Sequence, residues 1–444
     1  MRALRSQRVI TPEGERAATI VVDGERIAAI EPFEIAIESM PVEDLGALAI
    51  LPGIVDTHVH LNEPGRTEWE GFASATAAAA AGGVTTLVDM PLNCIPATTS
   101  VHALRAKHRA AQGKLHVDCG FYGGVVPGNA DALEPLIDAG VLGFKAFLVD
   151  SGVDELPRAG VRDLREALPR LARRGVPLLA HCELEGEAPE IDDPRSYAQY
   201  LRSRPRAWEE SAIDLLIALG EESGARVHVV HLADADALVA IAEAKARGTA
   251  ITVETCPHYL GFAAEEIPDG DPRFKCAPPI READCREGLW RGLREGVVDL
   301  VVSDHSPCTP VLKRMREGDL ARAWGGIAGL QLGLCATYTE AVARGATLAD
   351  VVRWMAEAPA RFVGLSRKGR IEVGMDADLV AFDPSASFKV ERRSILHRHD
   401  LTPWEGRAMR GRVVATWLRG ERVYDARVAE WSFSRVRGQV VTSG

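Results

Sequence analysis

Between residues 51 and 367 the chain repeats one pattern: an apolar run of strand length, a turn, a helical stretch, then the next apolar run. The runs read GIVDTHVH, VTTLVDM, LHVDCGFYG, VLGFKAFLV, VPLLAHCE, RVHVVHLA, AITVETC and VVDLVVSDH. Strands this continuously apolar are buried on both faces, and helical crossovers between them make neighbours parallel. Eight such units predict an α/β fold, a (β/α)8 TIM barrel over residues 51–367. The first crossover shows the local logic. WEGFASATAAAAAGG carries a run of the strongest helix former, and Gly82-Gly83 supplies the left-handed residue that ends a helix before VTTLVDM begins.

The two ends have another texture. RVITPEG, ATIVVDGERIAAIEP and LGALAILPG near the start, and GMDADLVAFDP and GRVVATWLRGERVYD near the finish, read as short strands joined by turns. Residues 1–50 and 368–444 are therefore expected to build one small β-sandwich domain from both termini.

Charge and cysteine content narrow the function classes. Lys plus Arg total 52 against 63 Asp plus Glu, a net charge of −11, with no basic cluster dense enough to follow a phosphate backbone, so nucleic acid is not an expected partner. The first residues lack the apolar stretch of a secretory signal, and no apolar run reaches membrane-span length; a cytoplasmic protein without a membrane partner is expected. The eight cysteines are scattered without CxxC spacing, which predicts buried free thiols rather than disulfides.

In a barrel, chemistry gathers where strands end at the C-terminal face. His58 and His60 close the first run, and period-two alternation puts both imidazoles on one face. An HxH pair also arises by chance on exposed strands. Lys145 lies amid apolar residues in VLGFKAFLV, where burial depresses an ammonium's pKa; the free amine can react with CO2 to give an anionic carbamate able to bridge two cations. The alternative is a lysine snorkelling out of the strand end. His181 ends the fifth run and His231 the sixth, where His228, three residues earlier, is expected on the opposite face. Asp304 ends the eighth, placed to ligate an ion and to take a proton from water as general base; Asp299 sits at the wrong end. Each residue alone has a structural explanation, such as a satisfied core histidine or a helix-capping aspartate. Their shared position at the ends of five strands predicts a binuclear hydrolytic centre of His58, His60, Lys145, His181, His231 and Asp304.

The motifs LPGIVDTHVH, GFKAF, AHCE, VVHL, ETCPHYL, CAPPIRE, VVSDHSP and GMDADLVAFDP, spread over nearly the whole chain, resemble the amidohydrolase superfamily in its cyclic-amidase branch of dihydroorotases, hydantoinases or dihydropyrimidinases, and allantoinases. The resemblance implies His58 and His60 on the more buried ion, a carboxylated Lys145 bridging, His181 and His231 on the second ion, and Asp304 on the first while serving as base and then acid. It also implies a homodimer or homotetramer and two divalent ions, zinc first, with manganese, cobalt or iron suiting the same donors.

Within the branch, dihydroorotases carry an arginine two residues after the second histidine that grips a substrate carboxylate; here Asn62 stands there. NEPGRTEWEGF, GFKAFLVDSGVDELP and WGGIAGLQLGL look most like allantoinases, which implies opening of the hydantoin ring of allantoin to allantoate. Ala146 and VDSG depart from the usual branch pattern without removing a ligand. The substrate, a small cyclic ureide, is expected to contact Asn93, Cys276, Ala277 and Ser306, though Asn93 suits a turn cap equally. Arg66, Glu68 and Glu70 read as structural or solvated ion pairs, or as a substrate loop, and His258 as a packing residue. The rival readings are a hydantoinase, dihydropyrimidinase or dihydroorotase, and a non-catalytic scaffold on the same fold.

Overall fold

Eight parallel strands carry the eight apolar runs: β1 Ile54–Val59, β2 Val84–Asp89, β3 Asp118–Phe121, β4 Phe144–Phe147, β5 Leu178–His181, β6 Val227–Val229, β7 Ile251–Thr255 and β8 Leu300–Val301. The computed structural model in which they are seen describes residues 1–35, 40–428 and 436–442. β1, β2 and β3 pair in order, and Gly123–Gly124, beginning two residues beyond β3, pairs with β4. From β4 the ladder continues through β5, β6 and β7 to β8, each neighbour parallel. At the remaining seam Val59 and His305 form a parallel bridge, and the His60 N–H donates to the His305 carbonyl at 2.8 Å. The buried Asp56 carboxylate fastens this seam by accepting the Ser303 and His58 N–H groups, at 3.2 Å each from Oδ1. The fold is a (β/α)8 barrel with an attached β domain.

The first crossover helix runs Phe72–Ala81, and Gly83, at φ 80, supplies the left-handed turn into β2. Ala75 and Ala77–Ala81 are all buried, so the alanine run is a packing surface whose small side chains let the helix lie close to the barrel.

Strands from both ends of the chain form one further sheet. Its order is Glu421–Asp425, Ala408–Leu418, Leu379–Lys389, Ala49–Pro52, Arg2–Thr11, Gly14–Asp23 and Arg26–Pro32, with Val42–Asp44 also pairing with Arg2–Thr11. Leu4, Ile20, Ile50, Leu379 and Trp417 belong to a core separate from that of the barrel. Leu51 and Pro52, assigned by sequence to the barrel, lie in this sheet, because Ala49–Pro52 pairs antiparallel with Leu379–Phe382. Residues 36–39, 429–435 and 443–444 of the expected terminal domain lie outside the described residues. The sheet is tied to the barrel by the Thr416 hydroxyl, which donates to the Ala80 carbonyl at 2.7 Å, and by a buried ion cluster around Lys368.

Candidate metal centre

The six predicted donors line one cavity of about 400 Å³, together with Leu92, Asn93, Phe147, Tyr200, Arg204 and Trp324 among others. That volume lies in the range of small-molecule sites. His58, in β1, and His60, one residue past its end, hold their ring centroids 5.5 Å apart. Their Nε2 atoms lie 3.3 and 3.4 Å from Asp304 Oδ1. Three residues beyond β8, Asp304 reaches this position with φ 43, and His231, two residues beyond β6, adopts φ 39. Left-handed backbone is uncommon for residues with a Cβ and costs about 1–3 kcal/mol, so the surrounding fold imposes it where these side chains turn inward. On the other side of the cavity His181 Nδ1 faces His231 Nε2 at 3.1 Å. Phe147 stacks on the His181 ring at 4.8 Å and 16°.

Three of the four histidines have their outward nitrogen held. His58 Nδ1 bonds Glu254 Oε1, His60 Nδ1 lies 3.4 Å from the Asn93 amide, and His181 Nε2 bonds Glu183 Oε2 at 2.7 Å. At His58 and His181 a carboxylate fixes the proton on the outer nitrogen and leaves the inner one as a lone pair directed into the cavity, the usual arrangement of a metal-binding imidazole, whereas at His60 the Asn93 amide nitrogen is itself a donor. Glu183 is held in turn by Arg204 at 2.9 Å. Burial opposes its charge, yet Arg204 and His181 outweigh this and bring its pKa down to about 2.

Lys145 is fully buried within β4, and its Nζ has no hydrogen-bond partner. Burial lowers its pKa to about 8, against the opposing pull of Glu254 and Asp304. A buried amine with every bond unmade is costly, and a ligand or a modification would satisfy it. The imidazoles of His58, His60, His181 and His231, the Asp304 carboxylate and this orphaned amine make a nitrogen and oxygen donor set suited to divalent ions. His58, His60 and Asp304 bring ligand atoms within 4.8 Å of one another.

The expected substrate contacts divide. Asn93, Ala277 and Ser306 line the cavity. Cys276 corrects the expectation, as it is not among the lining residues: its thiol is buried and its carbonyl accepts the Tyr200 hydroxyl at 2.6 Å. The Ser306 hydroxyl donates to the Asp304 carbonyl at 2.9 Å and accepts the Ile327 N–H at 3.2 Å, holding the Asp304 turn. Asn62 is buried at φ 63, its amide donates to the Pro307 carbonyl at 3.3 Å, and it is absent from the cavity wall.

Arg66 pairs with Glu155 at 3.0 Å, while Glu70 is buried and accepts from Ser74 at 2.5 Å and from the Arg398 N–H at 3.0 Å. Both are structural ties between loops. His258 is buried against Tyr259 with a ring-centroid distance of 4.2 Å. The polar residues behind the donors, Glu254, Glu183 and Arg204, escaped the sequence reading. AHCE and ETC display both carboxylates, but only the folded chain brings them to histidines. All eight cysteines are buried and free.

Residues 49–423 match the amidohydrolase family. The chain is 50% identical to an allantoinase of Streptomyces avermitilis, covering 99% of this chain and 98% of that one. It is 46% identical to the allantoinase of Arabidopsis thaliana, covering 95% and 87%. Among solved structures it is similar to the L-hydantoinase (dihydropyrimidinase) of Arthrobacter aurescens, with TM-score 0.92 and 30% identity over 99% of each chain. The chain belongs to the amidohydrolase family.

Proposed function

We propose that this chain is an allantoinase: it adds water across a ring amide of allantoin and releases allantoate. The observation that carries the reading is the convergence of His58, His60, Lys145, His181, His231 and Asp304 in one cavity, in a chain whose full-length relatives bear that name. His58, His60 and Asp304 would hold one divalent ion, His181 and His231 the second, and a carbamate on Lys145 both. Zinc fits these donors, as do manganese, cobalt and iron. Such ions lower the pKa of water toward neutrality and polarise an amide carbonyl.

The chain's own groups supply positioning and proton transfer. Asp304 Oδ1, set between the His58 and His60 rings, is placed to take a proton from the attacking water as its oxygen bonds to the ring carbonyl carbon. The same carboxyl returns that proton to the ring nitrogen as the C–N bond breaks, leaving a freed ureide nitrogen and a carboxylic acid that loses its remaining proton to solvent as carboxylate. Asn93 Oδ1, buried and without a partner at the wall, would accept an N–H of the substrate. Ala277 and Ser306 would border the ring.

Residues 53–367 would form the catalytic barrel, with the terminal sheet as a supporting domain. A homodimer or homotetramer in the cytoplasm is part of the same reading, tested by sedimentation and fractionation. Among the described residues no helix is long and apolar enough to cross a membrane. The deciding experiment compares ring opening of allantoin, dihydroorotate, hydantoin and dihydrouracil by protein supplied with zinc, manganese or cobalt. Allantoin is expected to have the highest kcat/KM; a higher value for dihydroorotate overturns the assignment.

A further inference from the structure

Strand β7 supplies none of the six donors, yet it carries a carboxylate bonded to ligands on both sides of the centre. Glu254 is fully buried. Its Oε1 accepts from His58 Nδ1 and, at 3.3 Å, from the His231 backbone N–H; its Oε2 accepts from His228 Nε2 at 3.0 Å. His228 Nδ1 meets the Thr252 hydroxyl at 2.7 Å. Burial pushes the Glu254 carboxyl up, and cations bound above it would hold it ionised; the direction of this chain then follows from the carboxylate. A carboxylate accepting on both oxygens requires N–H at His228 Nε2 and at His58 Nδ1. His228 Nδ1 is then an acceptor, and only the Thr252 hydroxyl can serve it.

We propose that Glu254 is a positioning residue that sets one ligand on each side of the centre at once, His58 through its ring and His231 through its backbone. Fixing the proton on His58 Nδ1 leaves Nε2 as the lone pair facing Asp304. Holding the His231 N–H pins the residue at φ 39, the left-handed turn that brings its ring opposite His181. One side chain from a strand without ligands thereby couples the two ion positions, and His228 with Thr252 keeps it from rotating away. This inference rests on the two-ion reading above.

Glu254→Gln tests it, because an amide cannot accept on both sides. Full-length native and variant proteins loaded with zinc are titrated with a chelator, and zinc content is read beside kcat, KM and the Tm of the metal-free protein. E254Q is expected to release both ions at about 10- to 100-fold lower chelator concentration, with kcat falling and KM little changed. A merely structural carboxylate would shift the metal-free Tm and leave zinc affinity as in the native protein, which overturns the proposal. So does release of one ion only. If E254Q does not fold, Glu254→Asp, which keeps the charge but withdraws it from His58 by one methylene, is read in the same way. A native protein that holds no zinc defeats the two-ion reading itself; native binding of two ions with unchanged affinity in E254Q defeats only this inference.

Discussion

Lys145 and Lys368 are both buried lysines, and the fold treats them in opposite ways. Lys368 Nζ lies 2.7 Å from Asp118, 2.7 Å from Asp378 and 3.2 Å from Asp376, on the side of the barrel that meets the terminal sheet. Burial alone would lower its pKa, but Asp378 and Asp118 outweigh that and raise it. Lys145 has no such partner, and its pKa falls to about 8. A desolvated ammonium surrounded by carboxylates is a structural ion. A desolvated amine left without bonds, beside four histidines and an aspartate, is kept for a ligand or a reaction. Burial therefore does not distinguish the two roles, but hydrogen-bond satisfaction does.

The sharpest way to break this contrast is to remove each lysine. Lys145→Ala should lower kcat/KM by roughly 10⁴-fold, the several kcal/mol that ion-assisted charge stabilisation supplies, and should reduce zinc content to below two ions per chain. Retention of both ions with full activity would sink the bridging role. Asp304→Asn keeps the size of the side chain but not its basicity, and kcat should fall by about 10²- to 10⁴-fold in steady-state assays at saturating allantoin. Lys368→Met should act on the other side of the comparison. It leaves Asp118, Asp376 and Asp378 short of a counter-charge, and denaturant unfolding should show a loss of about 3–5 kcal/mol. The folded fraction should keep its kcat/KM, because Lys368 is absent from the cavity wall. A fall in kcat/KM would mean that the two clusters are coupled.

Much of this was legible in the sequence, wherever a regular period applied. His58 at the end of β1 and His60 just past it keep the strand's alternation and hold their rings 5.5 Å apart, and the eight apolar runs coincide with eight strands. The period fails where the chain leaves the strand. His228 and His231, three apart, were expected on opposite faces; His228 meets Glu254 through its ring, whereas His231, past the strand end at φ 39, meets it through its backbone N–H and turns its ring to His181. Asp304 likewise gains its orientation from φ 43, which no strand pattern encodes. The partners behind the ligands were hidden for a different reason. Arg204 meets Glu183 from 21 residues away and Glu254 meets His58 from 196 away, so their pairing is a property of barrel closure.

The smallest expected effect concerns Asn93, where the same criterion of unmade bonds applies to a neutral group. Its Oδ1 is buried and without a partner at the cavity wall, while its amide nitrogen stands 3.4 Å from His60 Nδ1. Alanine is a poor probe here, because φ 64 would strain it and mix a backbone cost with the loss of the amide. Asn93→Gly removes the amide and tolerates that backbone. One neutral hydrogen bond is worth about 0.5–1.5 kcal/mol, so KM for allantoin should rise roughly 2- to 12-fold with kcat little changed if Oδ1 receives a substrate N–H. If Asn93 instead serves only to orient His60, KM stays and the variant gives up zinc at lower chelator concentration. The two outcomes separate a wall that reads the substrate from one that only supports a ligand.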